Sequence, residues 1–231
     1  MKIMKDKKRL IYGITISILI FIISTQVGII LNFKTDFIPS SFLTHSFMLL
    51  LSIGAIYFFR KKVKYKISLP KFKKSLKPFL LGISATIVVN IPVAVIIKIS
   101  GGETDVDPLL ADMTPLQVFI FIFIYASIAE ELLFRGFLLN FLKPLNLKGI
   151  TIFKRKISIS VIISALAFGL AHLILITTGV GELFIVRIVI FTMVLGLIAG
   201  YYQEKYANNA YAIIVHMAGN LLIVLSAFLL S

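Results

Sequence analysis

The sequence predicts an all-α fold, a polytopic bundle of transmembrane helices. Three observations carry that prediction. Hydrophobic residues make up 59% of the 231-residue chain and the mean hydropathy is +1.01, an excess over the ~45–50% of soluble domains that one buried core does not account for. The apolar residues fall in blocks close to the ~20 residues a helix needs to cross a bilayer. The Lys and Arg residues lie almost wholly between those blocks.

About seven spans follow, near residues 10–31, 37–59, 78–99, 116–142, 157–177, 183–202 and 209–230. The basic start and first apolar run resemble a signal peptide. The run is too long for one and has no small-residue cleavage site, so it reads as a retained helix. The connections then separate by charge. The arm before the first span holds five basic residues, the connection 60–77 nine, the connection 143–156 five, and the one after the sixth span Lys205. The alternate connections hold Lys34 and Lys98. This bias, 20 against 2, places the chain in a cell membrane with its N-terminus in the cytoplasm and its C-terminus outside. The net charge of +14 therefore reads as topology and membrane-lipid contact, with no nucleic acid as partner.

No linker divides the sequence, so residues 1–231 read as a single membrane domain. The absence of cysteine excludes disulfides, thiolate metal sites and a cysteine nucleophile. The acidic connection 101–115, with Glu103, Asp105, Asp107 and Asp112, lacks the ligand spacing of a calcium loop and reads as solvated. The basic connection 61–77 interleaves Tyr65, Ile67, Leu69 and Phe72 and reads as lying on the anionic inner leaflet.

Chemistry enters with polar residues at bilayer depth, where an ionisable group costs about 2.5–3.5 kcal/mol. The fourth span carries Glu130, Glu131 and Arg135. Glu131 and Arg135 are i,i+4 and can pair on one helix face. Glu130 is turned about 100° away, which leaves it available for chemistry. The plain alternative is a structural ion-pair cluster. The fifth span carries Phe168 and His172, again i,i+4, so the ring can pack on the imidazole. The seventh carries His216 and Asn220 at the same spacing, with Gly219 permitting close approach of another helix. His45 has no such partner and reads as structural. A carboxylate, two imidazoles and an amide are the parts needed to activate water on an acyl carbon: a general base, a group that orients water or shuttles a proton, and donors for an oxyanion. For these groups to meet, the fifth helix should be tilted or should begin early, near Ile150.

The run Glu130-Glu131-x-x-x-Arg135, then Phe168-x-x-x-His172, then His216-x-x-x-Asn220 resembles the three motifs of the CAAX-protease and bacteriocin-processing family of intramembrane endopeptidases, also called the abortive-infection family. The resemblance implies a catalytic core over about residues 116–230, with Glu130 as base, His172 assisting, His216 and Asn220 as oxyanion hole, and Glu131, Arg135 and Phe168 supporting the site. Members often have eight helices, so an eighth stays open. The implied substrate is a peptide or a lipidated protein, including prenylated ones, cut near the cytoplasmic leaflet. No cofactor is obligatory on this reading. If the enzyme used a metal, zinc on Glu130, His172 and His216 would be the set, although no His-Glu-x-x-His helix is present. Two other functions compete: a non-catalytic membrane scaffold or bacteriocin-immunity protein of the same fold, and a small transporter with a Glu130–His172 proton relay.

Overall fold

The computed structural model describes residues 2–99, 113–145, 149–152 and 154–229. Seven helices among them are long and apolar enough to cross a membrane. They are α1 (Lys2–Leu31), α2 (Ser41–Phe58), α3 (Phe72–Ile99), α4 (Pro115–Leu145), α5 (Ile159–Ala171, continued by a 3-10 segment His172–Thr178), α6 (Glu182–Tyr206) and α7 (Ala210–Leu229). The protein is a multi-pass helical membrane protein, and no eighth span occurs among the described residues. Most of the acidic connection lies outside the described residues. Its end begins α4, where Thr114 accepts from the Gln117 backbone and Gln117 caps Thr114 in return, satisfying two helix-end donors.

The fifth helix does not begin near Ile150. Ile150–Ile152 pairs antiparallel with Arg155–Ile157 in a short hairpin, turned at Lys154 with φ of +61°. β-Branched Ile and Thr fill the first strand and favour the pleated backbone. Helix α5 starts after Ser158, whose hydroxyl accepts from the Val161 N–H at 3.1 Å and donates to Glu204 on α6 at 2.8 Å. That N-cap is the stop signal between hairpin and helix.

Helix α4 is the centre of the bundle: half of its most apolar window is buried, more than in any other span. Two cores flank it. One gathers Ile20, Met48, Phe137, Phe141 and Phe168 from α1, α2, α4 and α5. The other gathers Ala85, Leu195, Tyr202 and Val215 from α3, α6 and α7. Small residues set the spacing. A Cβ at Gly219 would stand 2.8 Å from Leu195 Cδ1, so the close approach expected there is made by α6. The basic connection does not simply rest on lipid. Asn208, at the α6–α7 turn, accepts from Ser68 N–H at 3.1 Å and donates to Ser68 O at 2.9 Å. Tyr65 lies against Gly136 on α4. Burial there pushes its phenol pKa up, against the lowering effect of a side-chain bond to Asn209.

The backbone of α4 is unusual and positions everything that follows. A five-residue α-helical turn, Ser127–Glu131, sits between two stretches of i→i+5 hydrogen bonding, Val118–Ala126 and Leu132–Leu139. Such π segments are rare and are frequently found at functional sites. In a membrane each carbonyl needs an internal donor, and beside the i→i+5 backbone bonds side chains supply further ones. Asn140 Nδ2 reaches the carbonyls of Arg135 and Gly136, both at 3.0 Å. Ser164 on α5 donates to Phe134 O at 2.7 Å, and Asn209 donates to Glu131 O at 3.4 Å. Gln203 on α6 then donates to Asn140 Oδ1 at 3.0 Å.

Candidate active site

Glu130 and Glu131 are neighbours with different surroundings. The Glu131 side chain is fully buried, while that of Glu130 is 17% exposed. Glu131 Oε1 accepts from Arg135 Nη1 at 2.8 Å and from His216 Nδ1 at 3.0 Å. The expected i,i+4 pair therefore forms, and it holds an imidazole as well. The Arg135 guanidinium also lies over the Phe168 ring, 4.4 Å from its centroid. That is a cation–π contact in a desolvated place, where such contacts are strongest. Room for the guanidinium comes from Gly196, where any Cβ would collide with Arg135 Nη2.

Glu130 has imidazole nitrogens beside both of its oxygens. His216 Nε2 is 3.7 Å from Oε2, and His45 Nε2 is 3.5 Å from Oε1. His45 is thus part of the site and not a residue of α2 packing alone. The three histidines share one arrangement. His45 Nδ1 is 2.9 Å from the Ser41 carbonyl, His172 Nδ1 is 3.0 Å from the Phe168 carbonyl, and His216 Nδ1 faces Glu131. Carbonyl and carboxylate oxygens only accept, so each Nδ1 carries the proton. In every case Nε2 is the nitrogen turned away from the anchoring oxygen, an acceptor when the ring is neutral and a donor when it is protonated.

The packing expected of Phe168 is present and wider than its spacing implied. Its ring meets the edge of His172 at 5.1 Å, His216 at 5.4 Å and Phe134 at 5.1 Å between centroids. Asn220 lies one turn beyond His216 and donates from Nδ2 to Ser127 Oγ at 3.3 Å. Ser127, fully buried on the α4 turn that carries Glu130, escaped the sequence reading because a serine in a span is not by itself a signal.

Glu130, His45, His172, His216, Asn220 and Phe168 all line one cavity of about 600 Å³. All seven motif residues are therefore assembled: five at the cavity or in its wall, with Glu131 and Arg135 behind them. Glu130 stands halfway along α4, 15 residues from either end. Among the described residues no cluster of three His, Asp or Glu is placed to hold a metal ion.

Fold and site together define a multi-pass helical membrane protein with a carboxylate–imidazole centre at mid-span. Comparison with protein families reaches the same half of the chain. The family model described as type II CAAX prenyl endopeptidase Rce1-like matches residues 112–222, from the start of α4 into α7. That match is similarity over fewer than half of the residues, and it agrees with the resemblance drawn from the three motifs. No curated protein and no solved structure matches the chain.

Proposed function

We propose that the protein is an intramembrane endopeptidase that hydrolyses a peptide bond with a water activated by Glu130. One observation carries this reading: Glu130 is a carboxylate at bilayer depth, facing a cavity, with ring nitrogens beside both oxygens, while Glu131 is committed to Arg135 and His216. A structural ion pair would bury both carboxylates alike.

The steps follow from the donors and acceptors. Glu130 takes a proton from water as the oxygen adds to the scissile carbonyl carbon. His45 Nε2, an acceptor in the neutral ring, takes the water's other hydrogen as a hydrogen bond and turns a lone pair toward substrate. The carbonyl oxygen becomes an oxyanion. Asn220 meets it with an amide hydrogen, since only one of the two is used on Ser127. His216 meets it from Nε2 in its protonated form, with Nδ1 held by Glu131. Oxyanion donors act most strongly where water is excluded. The C–N bond then breaks as the proton held by Glu130 passes to the leaving amine, with His172 assisting the transfer. Glu131 and Arg135 hold His216, and Phe168 holds both His172 and His216 in place.

The substrate is a peptide or lipidated protein, and the family description points to prenylated ones. The chain acts as one membrane domain with its core in residues 116–230, its N-terminus in the cytoplasm and its C-terminus outside. No metal is obligatory. The test compares membrane proteomes of cells producing active protein with cells producing Glu130→Ala. New polypeptide C-termini should appear only with the active form. Identical C-termini in both would sink the reading. Cleavage by purified protein should also survive a metal chelator, and activity lost to the chelator and restored by zinc would contradict the metal-free mechanism.

A further inference from the structure

The cavity is one-sided. Its lining residues on α1 run from Phe21 to Asn32, in the last third of the helix and just past it. On α2 they run from Ser41 to Met48, with Ser40 before it. On α4 they run from Ile122 to Phe134, and on α5 from Phe168 to Thr178. On α6 they stop at Thr192. On α7 they are His216, Asn220 and Ile223. These six helices, α3 excepted, thus contribute from the same end of the bundle, the end with connections 32–40 and 179–181. The floor is Met48, Phe134 and Phe168. Beneath it Phe137, Leu138, Phe141 and Leu142 are buried and seal the cavity from the opposite end; a separate groove there, lined by Ile53, Arg60, Lys64, Tyr65 and Leu132, shares no lining residue with it. Asn32, Thr177 and Thr178 are exposed at the mouth.

The sealed end is the basic one. It holds the N-terminal arm, connection 60–71 and connection 143–158, whereas the mouth end has Lys34 on its first connection. A 20-to-2 bias of basic residues assigns the sealed end to the cytoplasm. We propose that the active-site cavity opens to the extracytoplasmic side, so that its substrate is an exported or membrane-inserted polypeptide presented from the outer half of the bilayer. This replaces the expectation of chemistry at the cytoplasmic leaflet. It narrows the substrate class against a lipidated protein held on the inner leaflet. Only the substrate class rests on the peptidase reading; the direction of access rests on geometry and charge.

The absence of native cysteine allows a clean test that does not need activity. Single variants Thr44→Cys and Thr25→Cys place one thiol in the cavity wall, Thr178→Cys one at the mouth, and Lys73→Cys one at the start of α3, directly after the basic connection. Each is treated with a membrane-impermeant maleimide in intact cells and in everted vesicles. The cavity and mouth thiols should label in intact cells, and Lys73→Cys only in everted vesicles. Labelling of the cavity thiols only in everted vesicles, no labelling of either cavity thiol from either face, or labelling of Lys73→Cys from outside would each overturn the proposal. Failure of Glu130→Ala to stop cleavage would instead strike the peptidase reading and leave these results standing.

Discussion

Adjacent carboxylates do unlike work at this site because their partners differ. Glu131 is fully buried and bonded to Arg135 and His216; removing one member of a buried ion pair strands the other charge and costs about 3–5 kcal/mol. Arg135→Leu should therefore lower the unfolding midpoint in detergent sharply, while Arg135→Leu with Glu131→Leu should recover much of the loss yet stay inactive. A double variant as unstable as the single one would contradict this. His45 makes a sharper residue-scale prediction. His45→Phe keeps the ring and loses Nε2, whereas His45→Gln keeps a polar acceptor and loses the ring. If Nε2 orients water, Gln should retain part of kcat with KM little changed, and Phe should retain almost none. The opposite ranking would assign His45 to packing. Asn220→Ala removes an oxyanion donor and should lower kcat by about 10²–10³; a smaller effect than threefold would remove Asn220 from that role. Six of the site residues were legible as i,i+4 pairs on their own helices. His45 was not, because its partner Glu130 lies 85 residues along the chain and no local spacing announces such a contact.

At the scale of elements, the active turn of α4 is held by its flanks. In and beside the second π segment, carbonyls of Glu131, Phe134, Arg135 and Gly136 also accept from side chains of Asn209, Ser164 and Asn140. Asn140→Leu removes the side-chain donor to two buried carbonyls and strands Gln203 Nε2, and a buried group left unsatisfied costs about 1–3 kcal/mol. The variant should unfold at lower temperature while turnover per folded molecule changes far less than in Glu130→Ala. Unchanged stability would mean that the ladder does not depend on Asn140. None of this network showed in the sequence, since Asn140, Gln203 and Asn209 look like ordinary polar residues near span ends. The hairpin at Ile150–Ile157 was hidden for another reason. Its strands have three residues each, too few for alternation to stand out beside a long apolar helix. The true start of α5 was written in Ser158, a capping residue directly before the apolar run.

At the scale of the whole molecule, hydropathy and charge alternation carried the seven spans and their order, because crossing a bilayer constrains length and composition along the chain. They did not carry which helix is central or toward which end the active-site cavity opens. Those depend on packing between spans: two cores, one built around α4, and an active-site cavity closed toward the basic end by phenylalanine and leucine and open at the other. The same packing brings α2, α4, α5 and α7 around one carboxylate, so the account stands or falls with Glu130. The most direct measurement is turnover of a peptide found by the proteome comparison, using purified protein in vesicles and ¹⁸O-labelled water. Wild-type protein should place one ¹⁸O in the new C-terminal carboxyl, and Glu130→Gln, folded to the same thermal stability, should give no product. Cleavage by Glu130→Gln at the wild-type rate would contradict the account.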